Sequence, residues 1–497
     1  MIASKGHDMN TQALPRISSW INGKPVAEQG QAEVAVIDPA TEQPMALLLE
    51  ADAAEVDAAV KAARHAFDHG PWPRMAPAQR AAILRRAADL TDSRSEELAA
   101  LESQHTGMPI TQIKGMHLPR TSLNFRFFAD YITQMQGRSY ADQPNVVTYV
   151  KRYPIGVAAL IAPWNVPLGL GMMKTAAALA FGCTVVLKPS EMTPVTFPIM
   201  MEILAQAGVP DGAVNLVNGR GSVTGAALSD HPDVDCYSFT GGTATGRMIA
   251  GAAGQHLKPA TMELGGKSAA IVFADCDFDA ALFGVHLANF AGNGQQCLNG
   301  TRVMIERPLF ERFSQALVAK AKAMKIGPPS DPATELGPMQ NGPHMNRILS
   351  FVTRAKADGC DILTGGTRAD DFPIGFYINP IIAVAPDNHR IICQEEIFGP
   401  FATLIPFDTP EQAIAMANDN DFGLVGYVWT KDIDKAIGVA DRINTGAVWI
   451  NTPMMRELRA PFGGWKDSGL GRESGDGCAA LFTEEKTITI KTLPFPN

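Results

Sequence analysis

The run Ile155-Gly156-Val157-Ala158-Ala159-Leu160-Ile161-Ala162-Pro163-Trp164-Asn165-Val166-Pro167 opens the most telling segment of the chain, which extends to residue 217. Residues 155–161 are an unbroken apolar run of strand length, 174–180 carry a helical pattern, and Thr184-Val185-Val186-Leu187 is a second apolar strand ending at Lys188-Pro189-Ser190. A helix over 197–206 and a strand over 213–217 complete β-α-β-α-β with short connections. Strands that are apolar on both faces and alternate with helices predict a doubly wound parallel sheet. The rhythm restarts after residue 265, with a strand over 269–273 and helices over 277–289 and 310–324. Two α/β units are implied.

Outward from this core, 53–67 reads as an amphipathic helix with Val56, Val60, Ala63 and Phe67 on one face, and 77–90 as another. Segments 146–153 and 487–493 alternate apolar or branched residues with polar ones, the period of half-buried antiparallel strands. Such strands, apart from the parallel sheets, would leave open edges, and pairing with another subunit is one way to cover them. They are expected to form an oligomerisation element, with an intramolecular edge hairpin as the alternative.

The 497 residues suit about three domains or two large ones at roughly 150 residues each. With 46% hydrophobic and 19% charged residues the chain is globular rather than disordered. A net charge of −9 supplies no basic stripe, which argues against a nucleic-acid partner. The seven cysteines show no C-x-x-C pairing and no H-E-x-x-H accompanies them, so neither a disulfide scaffold nor a metal site is expected, and a reducing, cytoplasmic compartment is the simplest home. Residues 1–8 lack the apolar core of a secretory signal. Residues 153–173 carry no charge, but Pro154, Gly156, Pro163, Asn165, Pro167, Gly169 and Gly171 break a membrane helix. A buried strand running into a site loop, with the helix resuming at Lys174, is expected instead.

The chemistry gathers around Cys297, in Gly294-Gln295-Gln296-Cys297. A lone cysteine is usually inert core. Here Glu263, in Glu263-Leu264-Gly265-Gly266-Lys267, and Asn165 accompany it. A thiol nucleophile, a carboxylate base and an amide donor for an oxyanion are the minimum parts for acyl chemistry through a thioester. No G-x-G-x-x-G occurs; instead Gly241 and Gly246 bracket a turn into a helix, which would bring backbone N–H groups to a pyrophosphate. Gly265-Gly266-Lys267-Ser268 looks like the tail of a phosphate-binding P-loop, but Thr261 stands where the first glycine belongs, so that reading fails.

These strings, with Pro163-Trp164-Asn165, Lys188-Pro189-Ser190-Glu191, Phe239-Thr240-Gly241-Gly242-Thr243, Glu396-Ile397-Phe398-Gly399-Pro400 and Pro461-Phe462-Gly463-Gly464, occur in the order and spacing of the aldehyde dehydrogenase superfamily, which the chain resembles over nearly its whole length. The resemblance implies an α/β fold with a Rossmann-like cofactor domain (1–131 and 154–262), an α/β catalytic domain (263–465) and a small antiparallel bridging and oligomerisation element (132–153 and 480–497), in a homodimer or homotetramer. It implies Cys297 as nucleophile, Glu263 as the base that activates water, and Asn165 with the Cys297 backbone N–H as the oxyanion site. It implies a cofactor held by Trp164, Lys188, Glu191, Gly241, Gly242, Gly246, Glu396 and Phe398. The family more often has Ser where Gly242 stands. A carboxylate at Glu191 near the ribose 2′-hydroxyl ranks NAD above NADP, which family members with this residue also use.

For the substrate, Arg456-Glu457-Leu458-Arg459 ahead of Pro461-Phe462-Gly463-Gly464 looks like the muconic semialdehyde dehydrogenases, with Arg459 matching the arginine that binds a distal carboxylate and Arg120 its partner. A guanidinium fork suits a planar carboxylate. The alternative is that the arginines only shape the tunnel and that Leu170, Met173, Leu298 and Met454 form a flexible wall for apolar or aromatic aldehydes. Betaine-type aldehydes are disfavoured, since 452–460 offer no aromatic cage. A coenzyme A-acylating enzyme or a non-catalytic scaffold of the same fold is the alternative of another class, against which Glu263 and the intact trio argue.

Overall fold

The structure, a computed structural model, describes residues 14–493; the expectation for residues 1–8, and the last four residues of the 480–497 element, lie outside them. After short strands between Arg16 and Leu49 come four long helices: α1 (Ala53–Asp68), α2 (Pro77–Ser93), α3 (Ser95–Thr106) and α4 (Leu118–Thr133). Two antiparallel strands, β1 (Arg138–Tyr140) and β2 (Val146–Pro154), lead into the expected alternation. It runs β3 (Val157–Ile161), α5 (Pro167–Ala180), β4 (Thr184–Lys188), α6 (Phe197–Ala207), β5 (Val214–Leu216), β6 (Cys236–Thr240), α7 (Thr243–Gln255) and β7 (Ala260–Glu263). Strands β3 to β7 form the parallel centre of one sheet in the order β7-β6-β3-β4-β5, with short antiparallel strands on both edges.

The second unit holds β8 (Ala269–Val272), α8 (Phe278–Phe290), β9 (Arg302–Glu306), β10 (Ile381–Val384), β11 (Phe401–Phe407), β12 (Val425–Trp429) and β13 (Ala447–Ile450). Its parallel order is β10-β11-β9-β8-β12-β13. Both sheets are buried on both faces, which is why their strands read as continuous apolar runs. Ala158, Leu160, Val185 and Leu187 join one core while Val157, Ala159, Ile161 and Val186 join the core behind the sheet. In the second sheet Ala269 and Ile271 face one core, Ala270 and Val272 the other.

The alternating segments pair with each other: β2 runs antiparallel to β14 (Thr483–Lys491), from Thr483 opposite Pro154 to Lys491 opposite Val146. With β1 they make a separate three-stranded sheet whose β14 stands at an edge, mostly exposed.

The sequence reading of 162–173 needs correction. Helix α5 starts at Pro167, not Lys174, and carries Gly169 and Gly171 inside it. Proline at the first helical position gives up an N–H that has no partner within the helix. Gly171 is there for closeness: a Cβ would lie 2.7 Å from Cε1 of Phe197. Residues that oppose a helix by local preference therefore start α5 and let it pack against α6. Among the described residues no helix is long and apolar enough to cross a membrane, and no three His, Cys, Asp or Glu side chains are grouped to hold a metal ion. All seven cysteines are free thiols.

Candidate active site

A cavity of about 780 Å3 opens at the carboxyl ends of β3, β4, β6 and β7 and reaches the second unit at Cys297, Glu396 and Phe398. This is where a doubly wound sheet places ligands, because strand ends and helix N-termini converge there. Asn165 lies in the loop between β3 and α5, Glu263 is the last residue of β7, and Cys297 lies in the loop after α8, and all three line this one cavity.

The Cys297 loop is pinned from both sides. Gly292 and Asn293 take left-handed backbone conformations (φ 60° and 58°) that turn the chain out of α8. The Asn293 amide donates to the carbonyls of Gly107 (2.8 Å) and Pro338 (3.1 Å), and its oxygen accepts from Gly337 N–H (2.8 Å). Beyond the nucleophile position, the Asn299 amide donates to Gly294 O at 2.7 Å. Asn165 Nδ2 donates one hydrogen to Gln295 O at 2.9 Å, which leaves its second N–H for another acceptor.

Burial, with the nearby carboxylates of Glu396 and Glu263, pushes the Cys297 thiol up to about 12, so at neutral pH it rests protonated. Glu263 is also pushed well above the usual carboxylate range, first by burial and then by the charge of Glu473, while Lys174, Arg456 and Arg472 pull the other way. Its Oε1 is buried without a hydrogen-bond partner. Behind it lies a buried ion pair between Lys174 on α5 and Glu473, joined by Ser238 Oγ on β6, 3.0 Å from Lys174 Nζ.

The cofactor candidates line the same cavity, with one exception. Gly241 and Gly242 form the turn into α7, whose N-cap Gly242 has no side-chain cap and open space where a Cβ would be. Lys188 is buried, donates to Pro189 O at 3.0 Å and lies 3.7 Å from the Glu191 carboxylate, and its own pKa is lowered by that burial. Glu396 accepts from Gly266 N–H at 2.9 Å, and its pKa is raised by burial. Phe398 and Trp164 pack edge to face at 5.3 Å between ring centres. Gly246 departs from its expected role: it is buried against Leu264, where a Cβ would collide, and serves helix packing instead of lining the cavity. An uncapped helix N-terminus beside open space and a carboxylate at the far end fit a dinucleotide with its pyrophosphate at α7.

The substrate candidates are divided. Arg120 lies in the first turn of α4, partly buried, with no bonded carboxylate among the described residues; burial lowers its pKa and the charge of Glu473 opposes that lowering. Arg459 departs from the expectation. Its side chain is 78% exposed and forms a two-pronged pair with Glu457 at 3.0 and 2.9 Å. Glu457 also accepts from the Arg459 backbone N–H at 3.0 Å, so a local turn holds this arginine outward. Arg456 takes the inward place instead, 3.6 Å from the ring centre of Phe462 and 3.3 Å from Ser474 Oγ, and near enough to Arg120, Glu473 and Glu263 to feel their charges. Burial lowers its pKa to about 10, and Arg120 adds to that lowering. The Arg-x-x-Arg spacing flagged the segment but could not say which arginine turns in. Leu170 and Met173 pack with the core of the first sheet and Leu298 and Met454 with one core of the second, and none of the four is among the residues lining the cavity described above. Glu473 and Lys174 were not legible as site residues, because only the folded chain brings them beside Glu263.

The chain matches the profile of the Aldehyde dehydrogenase family over residues 26–488. It is 40% identical, over 96% of its length and 100% of the relative's, to a 2-hydroxymuconic semialdehyde dehydrogenase of Pseudomonas sp. (strain CF600). It is 38% identical, over 93% of its length and 98% of the relative's, to a 5-carboxymethyl-2-hydroxymuconate semialdehyde dehydrogenase of Escherichia coli. Among solved structures, an NAD+ complex of aldehyde dehydrogenase from Bacillus cereus superposes with a TM-score of 0.93 at 37% identity, covering 96% of each chain.

Proposed function

Since this chain belongs to the aldehyde dehydrogenase family, we propose that it oxidises a carboxylate-bearing semialdehyde of the muconic type to the acid with NAD, Cys297 serving as nucleophile, Glu263 as base and Asn165 as oxyanion donor. The observation that carries the substrate class is the pair Arg120 and Arg456, two partly buried guanidiniums with no bonded carboxylate among the described residues and near enough to each other for the charge of Arg120 to add to the lowered pKa of Arg456. Two cations held together without a bonded anion favour an anionic guest, and a guanidinium is the side chain that matches a planar carboxylate. The relatives named for muconic semialdehydes support the same class.

The chain's residues divide the work among themselves. Glu263, made more basic by burial and by Glu473, accepts the Cys297 proton as the sulfur bonds to the aldehyde carbon. The oxygen of the resulting thiohemiacetal is held by the free Asn165 N–H and the Cys297 backbone N–H, interactions worth several kcal/mol in a dry site. When bound, the dinucleotide supplies the hydride acceptor. Glu263 passes the Cys297 proton to solvent and then takes one from water, whose oxygen attacks the thioester carbonyl. The C–S bond breaks to give acid and thiolate, a proton moves from the acid to the sulfur to leave carboxylate and thiol, and Glu263 again releases its proton to solvent. Gly241, Gly242 and the α7 N-terminus hold the pyrophosphate, Lys188 and Glu191 the adenosine ribose, and Glu396 the nicotinamide ribose. Glu191 disfavours a 2′-phosphate by charge, which ranks NAD first.

The domain boundaries and a β2–β14 oligomerisation edge belong to the same reading, as does a reducing, cytoplasmic setting for seven free thiols. The test is reduction of NAD, followed by absorbance, with a hydroxymuconic semialdehyde and with an uncharged aldehyde of similar size. A higher kcat/KM for the semialdehyde is expected; equal values for both would overturn the carboxylate reading, and no reduction with any aldehyde would overturn the reaction.

A further inference from the structure

Glu102 on α3 is a buried carboxylate with no part in the chemistry above, yet it ties together three helices beside the site. Its Oε1 accepts from the backbone N–H of Leu168, the second residue of α5, at 2.9 Å. Its Oε2 accepts from Thr196 Oγ1, at the N-cap of α6, at 2.9 Å, and lies 3.0 Å from His105 Nε2 on its own helix.

The bond to Leu168 supplies what the local sequence lacks. The N-cap of α5 is Val166, whose side chain cannot accept a hydrogen bond, and the next residue, Pro167, has no N–H. Leu168 N–H is therefore the first donor of α5 that needs an acceptor, and burial would leave it unpaired without one from elsewhere in the fold. Asn165 precedes it by three residues, in the short loop that enters α5. That loop has two other fixed points, Ala162 N–H to Lys188 O at 3.0 Å and the Asn165 amide to Gln295 O at 2.9 Å.

We propose that Glu102 is a positioning residue: by capping α5 from the neighbouring helix it fixes the loop that aims the Asn165 amide at the oxyanion. This rests on the assignment of Asn165 above. A carboxylate at a helix N-terminus also complements the positive end of the helix dipole, so a charged acceptor suits the place better than a neutral one.

The test is a double-mutant cycle on the rate of hydride transfer in a single turnover, read as appearance of reduced cofactor. Glu102→Ala is expected to slow this step about 100-fold, the order of loss that a misplacement near 1 Å causes. Glu102→Gln, which keeps an oxygen for Leu168 N–H, should recover most of it. In both variants the dissociation constant for NAD should stay within about twofold, since the proposed effect bears on the reacting centre, where a general loss of structure would weaken both. In an Asn165→Ala background the two Glu102 substitutions should cause little further loss. If they slow hydride transfer by the same factor there as in the wild type, Glu102 does not act through Asn165 and the inference fails while the Asn165 assignment stands. If Asn165→Ala is as fast as wild type, the assignment itself fails and the inference with it. Should Glu102→Ala not fold, Glu102→Leu, which fills similar space without an acceptor for Leu168 N–H, carries the same cycle.

Discussion

After β6 and after β8 the chain makes the same move, from a parallel strand into a helix, and finishes it differently. At α8 the N-cap is Asp277, whose carboxylate accepts from Ala280 N–H at 3.1 Å. At α7 the N-cap is Gly242, which offers no side-chain acceptor and faces the cavity. A capped N-terminus has spent its donors on the chain itself, whereas an uncapped one keeps them for an anion. On the proposed reading the two helix ends have separate tasks: the first unit's α7 holds the pyrophosphate, and the second unit presents the thiol.

The largest effect tests that separation directly. Cys297→Ala should lower turnover at least about 10,000-fold while NAD binding, measured by fluorescence quenching, stays near wild type; parallel loss of both would break the division. The same thiol supplies a pH signature. With its pKa pushed up to about 12, the thiolate fraction rises with pH, so alkylation of the cofactor-free protein should speed up about tenfold per pH unit from 7 to 10. A plateau near neutral pH would show a much lower thiol pKa. Glu263→Gln should next slow thioester hydrolysis by about 100-fold to 10,000-fold and leave a burst of cofactor reduction, visible in stopped flow.

Arg456→Ala should cost about 10-fold to 100-fold in kcat/KM for the semialdehyde and little for an uncharged aldehyde, the scale of a lost hydrogen bond to a charged group. Arg459→Ala, removing an exposed pair with Glu457, should change either value less than about twofold. The reverse ranking would restore Arg459 as the inward arginine. Gly242→Asp gives α7 the cap that α8 has and puts a negative charge at the proposed pyrophosphate site; the NAD dissociation constant should rise about tenfold. The smallest effect is Asp277→Ala, expected to lower stability to denaturant by about 1 kcal/mol with NAD affinity unchanged. Loss of NAD affinity there would mean that the two helix ends are not doing different work.

Much of the architecture was legible before folding. Continuous apolar runs at 155–161 and 184–187 marked strands buried on both faces, and alternation at 146–153 marked the separate antiparallel sheet, because side-chain period reports the number of buried faces. Proline and glycine misled at 167–171. As local signals they oppose a helix, but Pro167 occupies the position where its missing N–H is harmless, and Gly171 answers to Phe197, a neighbour only in space.

The order of strands and helices, the chemical types at Cys297, Glu263 and Asn165, and the segment Arg456-Glu457-Leu458-Arg459 were all set in the linear chain. It took the folded molecule to turn Arg456 inward, since Glu457 captures Arg459 within one turn. Folding likewise put Glu473 behind Glu263 and made Glu102 the cap of a helix lying 66 residues beyond it. Periodicity and composition record what a residue requires of solvent, while a charge acts over a few ångströms on whatever the fold brings near it.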